Sequence, residues 1–205
     1  HQPFALNIKG KQQAIDCVDR IRHLLDENQW HLNPVIHSSN LLRAWQTASI
    51  IRQGLPEITH LEGYDELAER GLGSAANLTV AQIEKVIKED PRFDDPPSDW
   101  KSNSRYCLPL QGAESLIDAG KRVAEHIKNT VNSEGKLEQD TAQIFVGHGA
   151  AMRHAAYHLG VLNFDEIKKF SMYHATPLVI TVENGLWRHV AGHWKVRRQN
   201  SRELD

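Results

Sequence analysis

Ile144-Phe145-Val146-Gly147-His148-Gly149 decides the fold. Three apolar residues make a short buried strand, two glycines bracket a histidine, and a helix begins at once, from Gly149 to Leu159. A strand that passes straight into a helix is the repeating unit of an α/β domain. The turn between them also carries chemistry. Glycine lets another molecule approach the backbone closely. The first N–H groups of a helix, here those of Gly149 and Ala150, have no intrahelical acceptor and form a natural anion site. A histidine held there can donate hydrogen bonds to a phosphate. Taken alone, it can equally be a packed strand-end residue whose ring nitrogens meet the backbone.

Two upstream stretches follow the same plan. Val35-Ile36 begins a buried strand, and Ser38-Ser39-Asn40-Leu41-Leu42-Arg43 leads into a helix that ends near Arg52, with Ser39 or Asn40 available as its cap. Arg43 falls on the first turn, and its planar, permanently charged fork suits two-point contact with a phosphate; the alternative is a solvated helix arginine. Glu69 stands in Leu67-Ala68-Glu69-Arg70-Gly71. Beside a phosphate dianion a carboxyl pKa rises, which suits a proton donor to a leaving alkoxide; the alternative is a surface glutamate paired with Arg70. Ligands of open α/β sheets sit at the carboxyl ends of the strands, where these three residues fall.

Outward from there, helical spacing of Ala14, Cys17, Val18, Ile21 and Leu25 predicts an amphipathic helix over residues 8–27, broken by Asn33-Pro34. A short strand is expected near residues 58–61, a helix over 79–89 opened by Thr79, and another over 114–131. Asn184-Gly185 between apolar runs predicts a hairpin. Residues 91–112, with Asp94-Asp95-Pro96-Pro97, read as an irregular excursion that is either a lid or a solvated insertion. Trp100 and Tyr106 there could line a pocket for a larger, less charged substrate, or make a small satellite core. The sum is a single α/β domain over 1–205: a three-layer α/β/α sandwich with a mainly parallel sheet and an antiparallel edge hairpin.

Composition narrows the classes. The 205 residues carry a formal charge of −2, which gives no long-range attraction to nucleic acid or an anionic membrane. Two cysteines, Cys17 and Cys107, are too few for a disulfide framework, so a reducing, cytoplasmic setting is expected. No apolar run is long enough to span a bilayer. His154 and His158 have a zinc-compatible spacing but no third ligand nearby in sequence, and no metal or cofactor is expected.

Five blocks in order resemble the histidine phosphatase superfamily, the clan of cofactor-dependent phosphoglycerate mutases and related acid phosphatases. They are Leu6-Asn7-Ile8-Lys9-Gly10-Lys11-Gln12-Gln13-Ala14, Ser38–Ala48, Leu67–Gly73, Gly112-Ala113-Glu114-Ser115-Leu116 (with one inserted alanine) and Gly147–Arg153. The resemblance covers about residues 6–183. It implies that Arg43 clamps the phosphoryl oxygens, His148 hydrogen-bonds them, and Glu69 protonates the leaving oxygen and then activates water. Arg70, Gly149 and Ala150 would complete the substrate contacts. The clan's nucleophile is a histidine in an arginine-histidine-glycine triplet, which this sequence does not contain. His1 does not fit, because no arginine precedes it and Gln2-Pro3 follows.

Two readings follow: the nucleophile lies upstream of residue 1, or the chain is a non-catalytic relative that binds phosphate or serves as an interaction surface. The first is favoured, since the first strand is central in such a sheet. Mutases of the clan carry a tyrosine and a lysine beyond the acid-donor glutamate, and paired arginines before the glutamate-serine helix. Here Gly71–Leu78 has neither residue, and only Arg105 precedes Tyr106. Hydrolysis of a phosphate monoester, on a small molecule or a phosphoprotein, is therefore expected over a phosphoglycerate mutase reaction. The sequence leaves oligomeric state open.

Overall fold

The computed structural model describes residues 3–133 and 140–197. The elements are α1 (Ile8–Asn28), β1 (His31–Ser39), α2 (Leu42–Gly54), β2 (His60–Tyr64), α3 (Val80–Glu89), α4 (Leu116–Ser133), β3 (Thr141–Val146), α5 (Gly149–His158), α6 (Glu166–Lys169), β4 (Phe170–Ser171), β5 (Val179–Glu183), β6 (Leu186–Ala191) and β7 (Lys195–Val196). Strands β2, β1 and β3 form a parallel sheet in that order, and β5 and β6 pair as an antiparallel hairpin at its edge, with a ladder of their own. Helices α1 and α2 cover one face, where Cys17, Val18, Ile21, Ala48 and Ile51 pack on Ile36. Helices α4 and α5 cover the other through Val123, Ile127, Ala151 and Ala155. Each fully buried aliphatic side chain of this kind contributes roughly 1.5–3 kcal/mol. These three layers are the expected sandwich.

The elements differ from expectation where local cues compete. Helix α1 ends at Asn28 on a left-handed Gln29, and β1 already starts at His31, so Asn33-Pro34 lies inside the strand. Pro34 is tolerated there because the ladder to β3 shifts register between Leu32 and Ile36, and a proline at a bulge gives up no ladder bond. Neither Ser39 nor Asn40 is the N-cap of α2; Leu41 is, without a side-chain cap. Ser39 lies further back, and its hydroxyl accepts the Leu41 N–H at 3.2 Å. Thr79 does cap α3, in a reciprocal capping box with Gln82.

Residues 91–112 are tied down. Trp100, 2 % exposed, packs with Ile83, Ile87 and Leu108, and its indole N–H donates to Glu84 at 2.9 Å. Trp100 therefore belongs to a satellite core. Along β3 all six residues are half-buried, and among the described residues only β1 pairs with it. Among the described residues no helix is long and apolar enough to cross a membrane.

Candidate active site

The carboxyl ends of β1 and β3 deliver two of the three key side chains, and the loop after β2 delivers the third. β1 is buried from Ile36 to Ser39, so its end is fixed by packing before α2 turns away. That turn places Arg43 one residue inside α2. β3 ends at Val146, and at Gly147, which follows, a Cβ would lie 2.5 Å from Met152 Cε and 3.1 Å from the Leu67 carbonyl oxygen. The missing side chain is what lets this strand end close against the loop that carries Glu69. His148 follows as the N-cap of α5.

The three meet. One guanidinium nitrogen of Arg43, Nη2, is ion-paired with Glu69 Oε2 and donates to His148 Nδ1 at 3.1 Å. Because arginine can only donate, Nδ1 is the acceptor and the ring proton sits on Nε2. That N–H donates to the hydroxyl of Ser39, 3.0 Å away and fully buried. Burial, and after it the charges of Arg43 and Arg122, push the His148 imidazole down to about 3. It is therefore neutral at physiological pH, and the positive charge of the site belongs to arginine.

That depression has a consequence for stability. Below its ordinary pKa of 6.5 His148 takes up a proton in the unfolded chain but not in the folded one, so its contribution is complete above that pH and is lost as pH falls. One such group removes about 1.4 kcal/mol per pH unit. His148→Gln should make the fall in urea-unfolding free energy between pH 5.5 and 4 shallower by about that amount. An unchanged slope would mean that His148 titrates freely in the folded protein.

The other predicted residues fall as follows. Gly149 and Ala150 open α5 with N–H groups that have no intrahelical acceptor. Arg70 does not join the three. Its guanidinium lies over the Trp100 ring at 5.7 Å, and burial lowers its pKa. Glu69 thus pairs with Arg43 rather than with Arg70. His154 and His158 are engaged elsewhere, His154 with the Ala150 carbonyl at 2.7 Å and Ser104 Oγ at 2.9 Å, His158 with the Ile117 carbonyl at 2.9 Å.

Three further residues of the site carry no sequence signal for it. Ser39 reads in sequence as a helix cap. Glu114 sits in a recognisable block without a role of its own, and Arg122 has no local signal, since only the fold brings α4 to the Glu69 loop. With Asp65, Glu66, Ala68, Glu69 and Gly71 these last two line a cleft of about 320 Å³.

Comparison with known proteins agrees with this architecture. No curated protein matches the sequence. Among solved structures, a mycobacterial glucosyl-3-phosphoglycerate phosphatase complexed with VO3 superposes with TM-score 0.67 at 24 % identity, over 92 % of this chain and 86 % of that one. The α-ribazole phosphatase of Shigella flexneri superposes with TM-score 0.64 at 19 % identity, over 100 % and 88 %. YhfR of Bacillus stearothermophilus gives 0.63 at 22 % identity, over 93 % and 83 %. These likenesses establish the fold. Residues 1–195 match the family model of the histidine phosphatase superfamily, branch 1, and the chain belongs to that superfamily.

Proposed function

We propose that this protein is a phosphatase that hydrolyses phosphate monoesters through a phosphohistidine, without a metal. The observation that carries the reading is the position of Arg43, whose Nη2 reaches both Glu69, in the loop after β2, and His148, just past the end of β3. A phosphoryl group entering there would take over the fork, and the free N–H groups of Gly149 and Ala150 would face it. Phosphatases among the structural neighbours support the same chemistry.

The nucleophile in this reading is a histidine upstream of His1, on a strand that would pair with the outer edge of β3. That β3 pairs with β1 alone among the described residues supports the placement. Its ring nitrogen forms a bond to phosphorus while the ester P–O bond breaks, and the leaving oxygen takes a proton from Glu69. Water then gives that proton back to the Glu69 carboxylate and forms a new P–O bond as the ring nitrogen leaves. With Arg43 drawn onto the phosphoryl group, neutral His148 takes its other tautomer, Nε2 accepting from the Ser39 hydroxyl and the Nδ1–H donating to a phosphoryl oxygen. Arg70, half-buried with an aromatic ring but no hydrogen-bond acceptor among the described residues, would meet an anionic or polar group beyond the ester, on a small molecule or a phosphoprotein.

The test is p-nitrophenyl phosphate hydrolysis by the full-length protein with and without EDTA. Activity should be insensitive to EDTA and fall about a hundredfold or more in His148→Ala. Loss of activity in EDTA would overturn the metal-free mechanism. A full-length protein that binds inorganic phosphate but turns nothing over would be a non-catalytic phosphate-binding relative.

A further inference from the structure

The loop that carries Glu69 has only a single 3-10 turn on either side, at Asp65–Leu67 and Gly73–Ala75, yet Glu69 must be placed to within a fraction of an ångström to work as an acid. Its backbone groups are satisfied from α4 and the residues just before it. Arg122 Nη1 donates to the carbonyls of Asp65 at 3.1 Å, Glu66 at 2.7 Å and Ala68 at 3.3 Å. Its other terminal nitrogen, Nη2, is ion-paired with Glu114 Oε1. That same oxygen accepts the Gly71 N–H at 2.8 Å, and the Glu114 N–H donates to the Gly71 carbonyl at 3.1 Å. A Leu72–Ala113 bridge and a Ser74 N–H bond to the Gln111 carbonyl at 3.0 Å continue the contact. Glu69 is thus flanked on both sides by backbone held by one ion pair.

We propose that Arg122 and Glu114 are positioning residues that aim the Glu69 carboxyl at the leaving-group oxygen. The inference rests on the phosphatase reading. Both side chains of the pair are largely buried, at 26 % and 21 % exposure, so the pair is held more firmly than a solvated surface bridge. Arginine is suited to the task in a way lysine is not, because one planar fork spans several carbonyls and a carboxylate at once. It also accounts for the glutamate of the Gly112–Leu116 block. Ser115 in that block does something else: with Asp118 it caps α4, its hydroxyl donating at 2.6 Å to the Asp118 carboxylate and accepting the Asp118 N–H at 3.1 Å.

A residue that aims an acid matters only when the leaving group needs a proton. The test therefore compares kcat/KM for p-nitrophenyl phosphate, whose leaving phenolate needs little help, with that for β-glycerophosphate, whose alkoxide needs a proton. The variants are Arg122→Lys, which keeps the charge felt at His148, and Glu114→Gln, which keeps an acceptor for Gly71; both are made in the full-length protein. For the alkyl ester, kcat/KM should fall about tenfold or more, while the aryl ester changes by no more than about twofold. An equal fall on both substrates, or no change on either, overturns the positioning role while leaving the phosphatase reading intact. A wild-type protein that hydrolyses neither ester overturns both together.

Discussion

Replacing Arg43 by alanine should lower kcat/KM of the full-length protein for phosphate monoesters by about a thousandfold, and Arg43→Lys by about a hundredfold. The guanidinium is the one group in contact with both other members of the site, and His148, held neutral, cannot replace its charge. Lysine restores a charge but not the two-point geometry that a phosphoryl group offers. The loss should appear in catalysis and not in folding. The Arg43 and Glu69 side chains are 29 % and 37 % exposed, and a pair so open to solvent stabilises by no more than about 1 kcal/mol. A second readout follows from the same contact. Arg43 is one of the charges that depress the His148 imidazole, so its removal should shift that pKa upward, which NMR titration of the ring can follow. Vanadate affinity should fall with kcat/KM, since both report grip on phosphoryl-like oxygens. A variant retaining activity within about tenfold of wild type would remove Arg43 from the proposed catalytic role.

The sequence made the site legible to the extent that each member stands beside its own backbone signal. His148 is announced by flanking glycines after an apolar strand, and Arg43 by a strand that turns helical within a few residues. Glu69 was visible only as a charged residue in a glycine-rich loop; that it pairs with Arg43 rather than with its neighbour Arg70 depends on the parallel order β2-β1-β3. Period and turn chemistry gave α3 with its Thr79 cap and the Asn184-Gly185 hairpin nearly to the residue. Pro34 misled, because its place at a register shift is a property of the pairing and not of the dipeptide. Trp100 was ambiguous for a related reason: a long excursion looks the same in sequence whether it lies over a pocket or inserts its aromatic ring between helix α3 and Leu108. Arg122 was invisible, since nothing near it in sequence hints that its partners are carbonyls more than fifty positions upstream.

Gly120→Ala should destabilise the scaffold strongly although it adds one methyl group. Helices α4 and α5 pack so closely there that a Cβ on residue 120 would lie 2.3 Å from His154 Cβ, 2.5 Å from the His154 carbonyl carbon and 2.9 Å from the Ala155 nitrogen. None of these atoms can move aside by rotating a side chain. His154 is itself pinned, 1 % exposed and hydrogen-bonded through both ring nitrogens. Alanine gains about 1 kcal/mol of helix propensity over glycine, while forcing a methyl against backbone costs about 3 kcal/mol or more. The net loss should be at least about 2 kcal/mol, or roughly 4–8 °C in Tm for a chain of this size. Lys121→Ala, one residue on and exposed, should stay within about 0.5 kcal/mol of wild type and so isolates the contact from the helix. Because His148 caps the start of α5 and α4 carries Arg122, separating the two helices also loosens the candidate site from both sides. Activity should therefore fall by more than the folded fraction does, measured below the melting transition. A Gly120→Ala protein as stable as wild type would mean that α4 and α5 do not approach this closely in solution.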